Sequence, residues 1–477
     1  MNKPIIRLYG LVVVLFALLV AFTSRWTIFE AASLRENKLN ARGLLEHERI
    51  DRGSIVAANG TVLARSNRGA EGIYERTYPT GSLFGNTVGY YYTNLGSTGI
   101  ERYRSSALNG QSDTGLQAIL DQLQGRKPTG EKLFTTLDPK AQRVATEALG
   151  EHKGAVVALE PHSGAVTVMA TSPGYDPNSL RSTKTYEALA REQSAPLVNR
   201  ATQFGYAPGS TFKVVTATAA IDSGAFTPSS TLSGRNNILI SGKLLKNDEN
   251  ENLGNITLTE ALAKSVNTVW AQVAVKLGKQ TLATYMERFG FDRKPQLDYP
   301  AGEMSISGEE EHERIVPPTS ERVDVGRMGI GQDKLAVTPL QMAEVAATVA
   351  DKGTLMVPHL TSRIVNAEGQ TVLQVQPKVQ SVVMKPSTAA AVTTMMEAVV
   401  NEGTGVPAQI PGVQVAGKTG TAETQIGTAI NNVWFIAFAP AQNPRVAIAV
   451  TLKGVPGQGA AFAAPVAKQV IERLLHD

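Results

Sequence analysis

The first pattern in the chain is a run of apolar positions, 8 to 24, that carries no charge between Arg7 and Arg25. A helix over this run reaches about 25 Å, a little short of a hydrocarbon core of about 30 Å. Arg7 and Arg25 can snorkel outward, and Trp26 suits the interface. The pattern predicts a membrane anchor at 8–25 behind a cytoplasmic tail at 1–7. A cleaved signal peptide is the competing reading, and Phe22-Thr23-Ser24 is a poor cleavage site for it. Lys3, Arg7 and the terminal amine put the N-terminus in the cytoplasm and the remainder outside.

Beyond the anchor the chain turns polar up to about 150. Arg52 to Ala64 reads as strand, Asn59-Gly60 turn and strand, a hairpin. Tyr90, Tyr91 and Tyr92 suggest either a carbohydrate platform or the packing of an irregular small domain, and we take the second. A strand from Leu133 leads through Asp138, as N-cap, and Pro139 into a helix. Gly154 to Glu160 and Ala165 to Ala170 form an antiparallel hairpin. Strand patterns return only at 413–416, 433–439 and 446–452, before a helix at 461–475. The middle, 210 to 400, reads as mostly helical. That order predicts one antiparallel sheet assembled from both ends of a large domain, with helices packed on it.

Composition narrows the chemistry. The 477 residues carry 46 basic and 42 acidic side chains, a net charge of +4 too mild and too well mixed for nucleic acid. With no cysteine there are no disulfides, thiolate nucleophiles or cysteine metal sites. The six histidines show no ligand spacing. The run Glu309 to Glu313 reads as a solvated loop, so we expect no metal and no cofactor.

Catalytic chemistry is written in three short motifs. Pro208 and Gly209 break the chain before Ser210, and no breaker interrupts Thr211 to Ala220, so a helix begins beside the serine. Residues three apart share a helix face, which turns the Lys213 amine toward the Ser210 hydroxyl. A nucleophile, a possible base and helix-start N–H groups then face one space. Thr257 to Glu260 is a capping box opening a short helix that runs out at Lys264. Ser265 and Asn267 follow on a turn, before a second helix at 268–277. Val413 to Ala422 is a strand carrying Lys418, Thr419, Gly420 and Thr421, and its glycine-flanked edge can accept a peptide strand.

S-x-x-K, S-x-N and K-T-G each occur once, in that order. The set resembles the active site of penicillin-binding proteins and serine β-lactamases. Arg52-Gly53-Ser54-Ile55, Gly99-Ile100-Glu101, Thr136 to Asp138, Asn199-Arg200, Gly331-Gln332 and Thr338 to Gln341 extend the likeness to class B penicillin-binding proteins, most of all the actinobacterial penicillin-binding protein A group. The resemblance implies an α+β transpeptidase fold, with an antiparallel sheet and a helical subdomain, at 151–477. It implies an elongated pedestal resembling a dimerisation domain at 26–150.

It also implies a peptidoglycan D,D-transpeptidase in which Ser210 forms an acyl-enzyme with a stem peptide and Lys213 is the base. Ser265 relays a proton, and Asn267 holds the substrate amide. Lys418 helps keep Lys213 neutral, and Thr419, Gly420 and Thr421 line the carboxylate site. The backbone N–H groups of Ser210 and Thr421 form the oxyanion hole. β-Lactams would acylate the same serine, and a polytopic glycosyltransferase is the implied partner. From 268 to 417 there is no E-x-x-N to supply a lactamase's deacylating glutamate. A D,D-carboxypeptidase shares every motif, and a non-enzymatic membrane β-lactam sensor is a third reading, set against it by the roughly seven residues ahead of the anchor.

Overall fold

A computed structural model describes residues 3–24, 48–69, 72–111, 129–312, 314–423 and 430–476. Helix α1, Lys3–Ser24, includes a candidate span of 21 residues, Lys3–Thr23, in which an 18-residue window reaches a mean hydropathy of 2.7. At about 31 Å it is long and apolar enough to cross a membrane, because the helix starts at Lys3 rather than at position 8. Arg25 and Trp26 lie outside the described residues.

The hairpin expected near Asn59-Gly60 forms from β1, Ile55–Val56, and β2, Val62–Arg68, with β3, Tyr74–Thr77, beyond it. On its other side β1 runs parallel to β4, Lys132–Thr135. Glu101 is buried between two guanidinium groups, accepting from Arg52 Nε at 2.7 Å and Arg76 Nε at 2.6 Å. Burial pushes its carboxyl up, but Arg76 and Arg52 outweigh this and leave it below its usual range. The three tyrosines pack to different degrees within the small domain. Tyr90 is buried, Arg52 lies 4.0 Å from the Tyr91 ring centre, and the Tyr92 hydroxyl donates to the Pro177 carbonyl.

Helix α2, Pro139–Leu149, starts as its sequence dictates: the Asp138 carboxylate accepts from the backbone N–H groups of Lys140 and Ala141, with proline at the first position. Next come β5, Lys153–Leu159, and β6, Val166–Ser172, paired antiparallel. The middle of the chain supplies α3, Lys213–Asp222, α4, Leu258–Ala263, and α5, Asn267–Arg288, which breaks at Gly278. It also contains several short strands, so its helical reading holds for the core and not for the rim.

One of those rim elements corrects the reading of the Glu309 run. Gly308–Glu311 is strand β7, flanked by β8, Arg314–Val316, and β9, Leu335–Ala336. Strand alternation turns Glu309 inward, where it is fully buried and neither carboxylate oxygen reaches a hydrogen-bond partner among the described residues. Burial, then the Asp333 charge, pushes its pKa to about 8, and the Lys334 backbone and ammonium offset only part of this. The folded state therefore holds a proton the unfolded chain releases above its ordinary value of 4.5. Stability is full below that value and declines as pH rises toward 8. Replacing Glu309 by Gln is expected to flatten that decline and stabilise the protein above pH 8 by on the order of 1 kcal/mol. Urea denaturation at pH 5 and pH 8.5 measures it, and an unchanged difference between the two pH values would contradict the assignment.

Helix α6, Pro339–Ala350, is buried on all sides and capped by Thr338, whose hydroxyl accepts from Gln341 N. Strands β10, Thr361–Val365, and β11, Thr371–Gln374, then complete a six-stranded sheet in the order β11-β10-β4-β1-β2-β3. Strands from before and after residue 150 thus share one sheet. After α7, Pro386–Asn401, the chain ends in β12, Ala416–Glu423, β13, Ile430–Ala439, β14, Val446–Pro456, and α8, Gly459–Leu475. The second sheet has the order β12-β13-β14-β5-β6, antiparallel throughout, and is built from both ends of the large domain.

Alternate residues serve its two faces. Val157, Ala449 and Ile436 join the core shared with α3, α5 and α6. Val156, Val450 and Phe435 join the core beneath α2 and α8. A sheet covered on both faces leaves only its edges open, and β12 is an edge strand.

Candidate active site

Pro208 and Gly209 turn the chain sharply ahead of the serine. Gly209 stands at φ 52°, and a Cβ there would lie 2.5 Å from the Thr421 carbonyl oxygen, so no other residue lets the loop approach β12 this closely. Ser210 follows in a 3-10 turn, Gly209–Phe212, braced by Thr211 Oγ1 donating to the Pro208 carbonyl at 2.8 Å. The α-helix begins only at Lys213, two residues later than expected, because this left-handed start is tighter than an α-turn.

The Lys213 amine has its hydrogen bonds, among the described residues, with Ser265 and Asn267 and not with Ser210. Its Nζ donates to the Ser265 carbonyl at 2.7 Å and to Asn267 Oδ1 at 2.7 Å, and lies 3.3 Å from Ser265 Oγ. Helix-face reasoning placed the side chain in the right cleft; the flexible stem chose its own partners.

Ser265 is held by a helix-ending motif. The Val266 N–H bonds back to the Ala261 carbonyl and the Ser265 N–H to Leu262, which places Ser265 at the left-handed position just past α4, at φ 61°. Glycine is the ordinary occupant, and a residue with a Cβ costs roughly 1 kcal/mol more there. The chain keeps serine, and its hydroxyl stands between two amines. Asn267 opens α5, and its Nδ2 donates to the Lys246 carbonyl, while Thr268 N bonds Asn247 Oδ1.

On β12, Lys418 is fully buried and its Nζ donates to Ser265 Oγ and to the Thr419 carbonyl, both at 3.0 Å, and to Thr419 Oγ1 at 3.3 Å. Gly420 lies against the Pro208 carbonyl. Thr421 Oγ1 accepts from the Gly459 N–H that starts α8, at 3.2 Å. The motif residues therefore gather around β12, the edge strand of the sheet.

Burial lowers Lys213 to about 7, with the Asp248 carboxylate pulling the other way. The sequence reading credited the Lys418 charge; burial is instead what lowers Lys213, and the charge effect runs the other way, from Lys213 onto Lys418. Burial also holds Lys418 well below its usual range, and the Lys213 charge acts in the same direction. Two amines around one hydroxyl favour a single proton between them. Lys418 faces three acceptors, and Lys213 faces three as well once Ser265 Oγ is counted, so the hydrogen bonds treat the two amines alike. A neutral Lys213 that donates to the Ser265 carbonyl and to Asn267 Oδ1 keeps a lone pair for accepting a proton. The arrangement can deprotonate a nucleophile and return that proton through Ser265.

The comparisons with known proteins fit this geometry. Residues 154–472 match the family described as penicillin binding protein transpeptidase domain, and residues 52–133 the penicillin binding protein A dimerisation domain. The chain belongs to the penicillin-binding protein transpeptidases. This penicillin-binding protein is 34% identical to the peptidoglycan D,D-transpeptidase PbpA of Mycolicibacterium smegmatis, over the full length of both. It is 30% identical to MrdA of Haemophilus influenzae, over 80% of this chain and 63% of that one. The penicillin G acyl-enzyme complex of penicillin-binding protein A from M. tuberculosis superposes with a TM-score of 0.79 at 33% identity, covering 89% of this chain and 99% of that one.

Four residues at the site carried no motif in the sequence. Asn247 and Asp248 reach it from a loop between α3 and α4, Gly459 from the start of α8, and Thr404 from the turn after α7. Thr404 Oγ1 lies 2.6 Å from Thr419 Oγ1. Two flanking glycines at 403 and 405 are the one hint the sequence gives of it.

Proposed function

We propose that this penicillin-binding protein is a serine D,D-transpeptidase of peptidoglycan. The observation that carries the reading is the Ser265 hydroxyl held between two buried lysines, one of them on the edge strand β12 against which the Ser210 turn packs. Ser210 Oγ attacks the carbonyl of the penultimate D-alanine of a stem peptide, losing its proton toward neutral Lys213. Ser265 passes a proton to the departing amine, the C–N bond breaks, and terminal D-alanine leaves. An amine of a second stem peptide then attacks the ester, forming the cross-link and restoring the Ser210 hydroxyl. Asn267 holds the substrate amide, and Lys418, Thr419 and Thr421 bind the carboxylate beside Gly420. The N–H groups of Ser210 and Thr421 stabilise the oxyanion, each worth about 3 kcal/mol; the close packing of Gly209 on Thr421 supports that pairing.

The anchor 8–25 lies behind the tail 1–7, with the N-terminus in the cytoplasm and the pedestal 26–150 and catalytic domain 151–477 outside. A polytopic glycosyltransferase polymerises the glycan strands beside it, meeting the anchor and pedestal.

The test is full-length protein in detergent, supplied with a stem peptide ending in two D-alanines and an amine acceptor. Mass spectrometry should find the cross-linked product with one D-alanine released per link. Release of D-alanine with hydrolysis alone would point to a carboxypeptidase, and rapid β-lactam turnover to a lactamase. Acylation without either product is the outcome for a sensor.

A further inference from the structure

The turn after α7 reaches into the site and touches both of its halves. Thr404 N donates to the carbonyl of Ala263, the last residue of α4, at 3.1 Å. A Cβ on Gly403 would fall 2.2 Å from that same oxygen, so the close approach depends on glycine. On its other side Thr404 meets Thr419 through the 2.6 Å hydroxyl contact. The turn thus bridges the element that presents Ser265 and the strand that presents Lys418.

A threonine hydroxyl has two acceptor lone pairs and one proton. At Thr419 one lone pair takes the Lys418 N–H, at 3.3 Å. The Thr404 contact decides what remains. If Thr404 donates, both lone pairs of Thr419 are filled and its proton is left for the cleft. If Thr419 donates instead, its proton is spent on Thr404 and it has nothing to offer an anion. A carboxylate accepts and cannot donate, so a bound carboxylate selects the first arrangement. Donation by Lys418 and Thr404 also polarises the Thr419 O–H, which strengthens its bond to the anion.

We propose that Thr404 is a positioning residue that orients the Thr419 hydroxyl toward the carboxylate of the terminal D-alanine, or of a β-lactam in its place. This rests on the transpeptidase reading and goes beyond it by adding a residue from outside the three motifs. Thr404 touches no reacting atom; its effect passes through Thr419 and depends on the ligand's negative charge.

The experiment compares second-order acylation rates of full-length protein by a penicillin with a free carboxylate and by its methyl ester. Thr404→Val should slow acylation by the free acid about fivefold, the worth of the neutral hydroxyl–hydroxyl bond that turns the Thr419 proton toward the anion. It should change the ester rate less than about twofold, because a neutral ester needs no such donor. Thr404→Ser should keep both rates within about twofold of the parent, since only the methyl is lost. Adding Thr404→Val to Thr419→Val should cost little more than Thr419→Val alone, because the first residue acts through the second. An unchanged free-acid rate in Thr404→Val, equal losses on acid and ester, a matching loss in Thr404→Ser or additive losses in the double variant would each overturn the proposal. If Thr404→Val fails to fold, Thr404→Ala takes its place with the same expectations. A parent protein that neither ligand acylates would instead refute the transpeptidase reading.

Discussion

Full-length protein carrying Ser210→Ala is expected to take up no labelled penicillin, while the parent takes up one label per chain at a peptide containing Ser210. The loss should exceed about a thousandfold, because removal of a nucleophile abolishes the acyl-enzyme and not merely its rate of formation. The fold should survive. Ser210 lines the cleft, and the approach of its loop to β12 depends on Gly209, which the substitution leaves in place. Unfolding free energy should change by less than about 1 kcal/mol. In the parent the label should persist for many minutes, because the opened lactam ring stays tethered where an acceptor amine must come in, and no E-x-x-N glutamate lies between 268 and 417. Undiminished labelling of the alanine variant would sink the assignment of the nucleophile, and with it the roles given to Lys213 and Ser265.

The second large effect belongs to Lys213. Acylation by the parent should rise with pH through about 7 and level off above it, as the buried amine loses its proton and becomes a base. Lys213→Met keeps the length and apolar stem of the side chain but has no lone pair to offer. It should acylate on the order of a thousandfold more slowly, with no rise near pH 7. Methionine is preferred to arginine here because the site is closed around the amine and a guanidinium is larger. The same burial has a stability signature of definite sign. Between about 7 and 10.5 the unfolded chain binds the Lys213 proton more readily than the folded one, so this group makes stability rise with pH across that window. Lys213→Met should remove that rise. Stopped-flow acylation with a chromogenic β-lactam and denaturation at two pH values supply the measurements. A variant acylating within a few-fold of the parent would rule out the base.

Much of the scaffold was legible because its signals are local. Asp138-Pro139 capped the helix it announced, the capping box at Thr257 opened α4, and the hairpin of β5 and β6 lies where alternation put it. Even the long-range result, one sheet assembled from both ends of the domain, followed from where strand patterns cluster along the chain. Glu309 shows where this fails. Four glutamates and a histidine in a row say solvent on average, yet a strand alternates its faces, and the second position of β7 sent one carboxylate inward.

The sequence by itself named Lys213, Ser265, Asn267, Lys418 and Thr419, which the structure links by hydrogen bonds, and it determined the apolar run at the N-terminus. Tertiary structure decided how they meet. Ser265 holds its hydroxyl between the lysines only because α4 ends in a left-handed residue. Lys213 chose the Ser265 carbonyl and Asn267 over Ser210, and its lowered pKa comes from burial that no local pattern encodes. Thr404 reaches Thr419 from fifteen positions away in the chain. A side chain's partners and its loss of water depend on elements distant in sequence, and those are properties of the packed chain, not of any window within it.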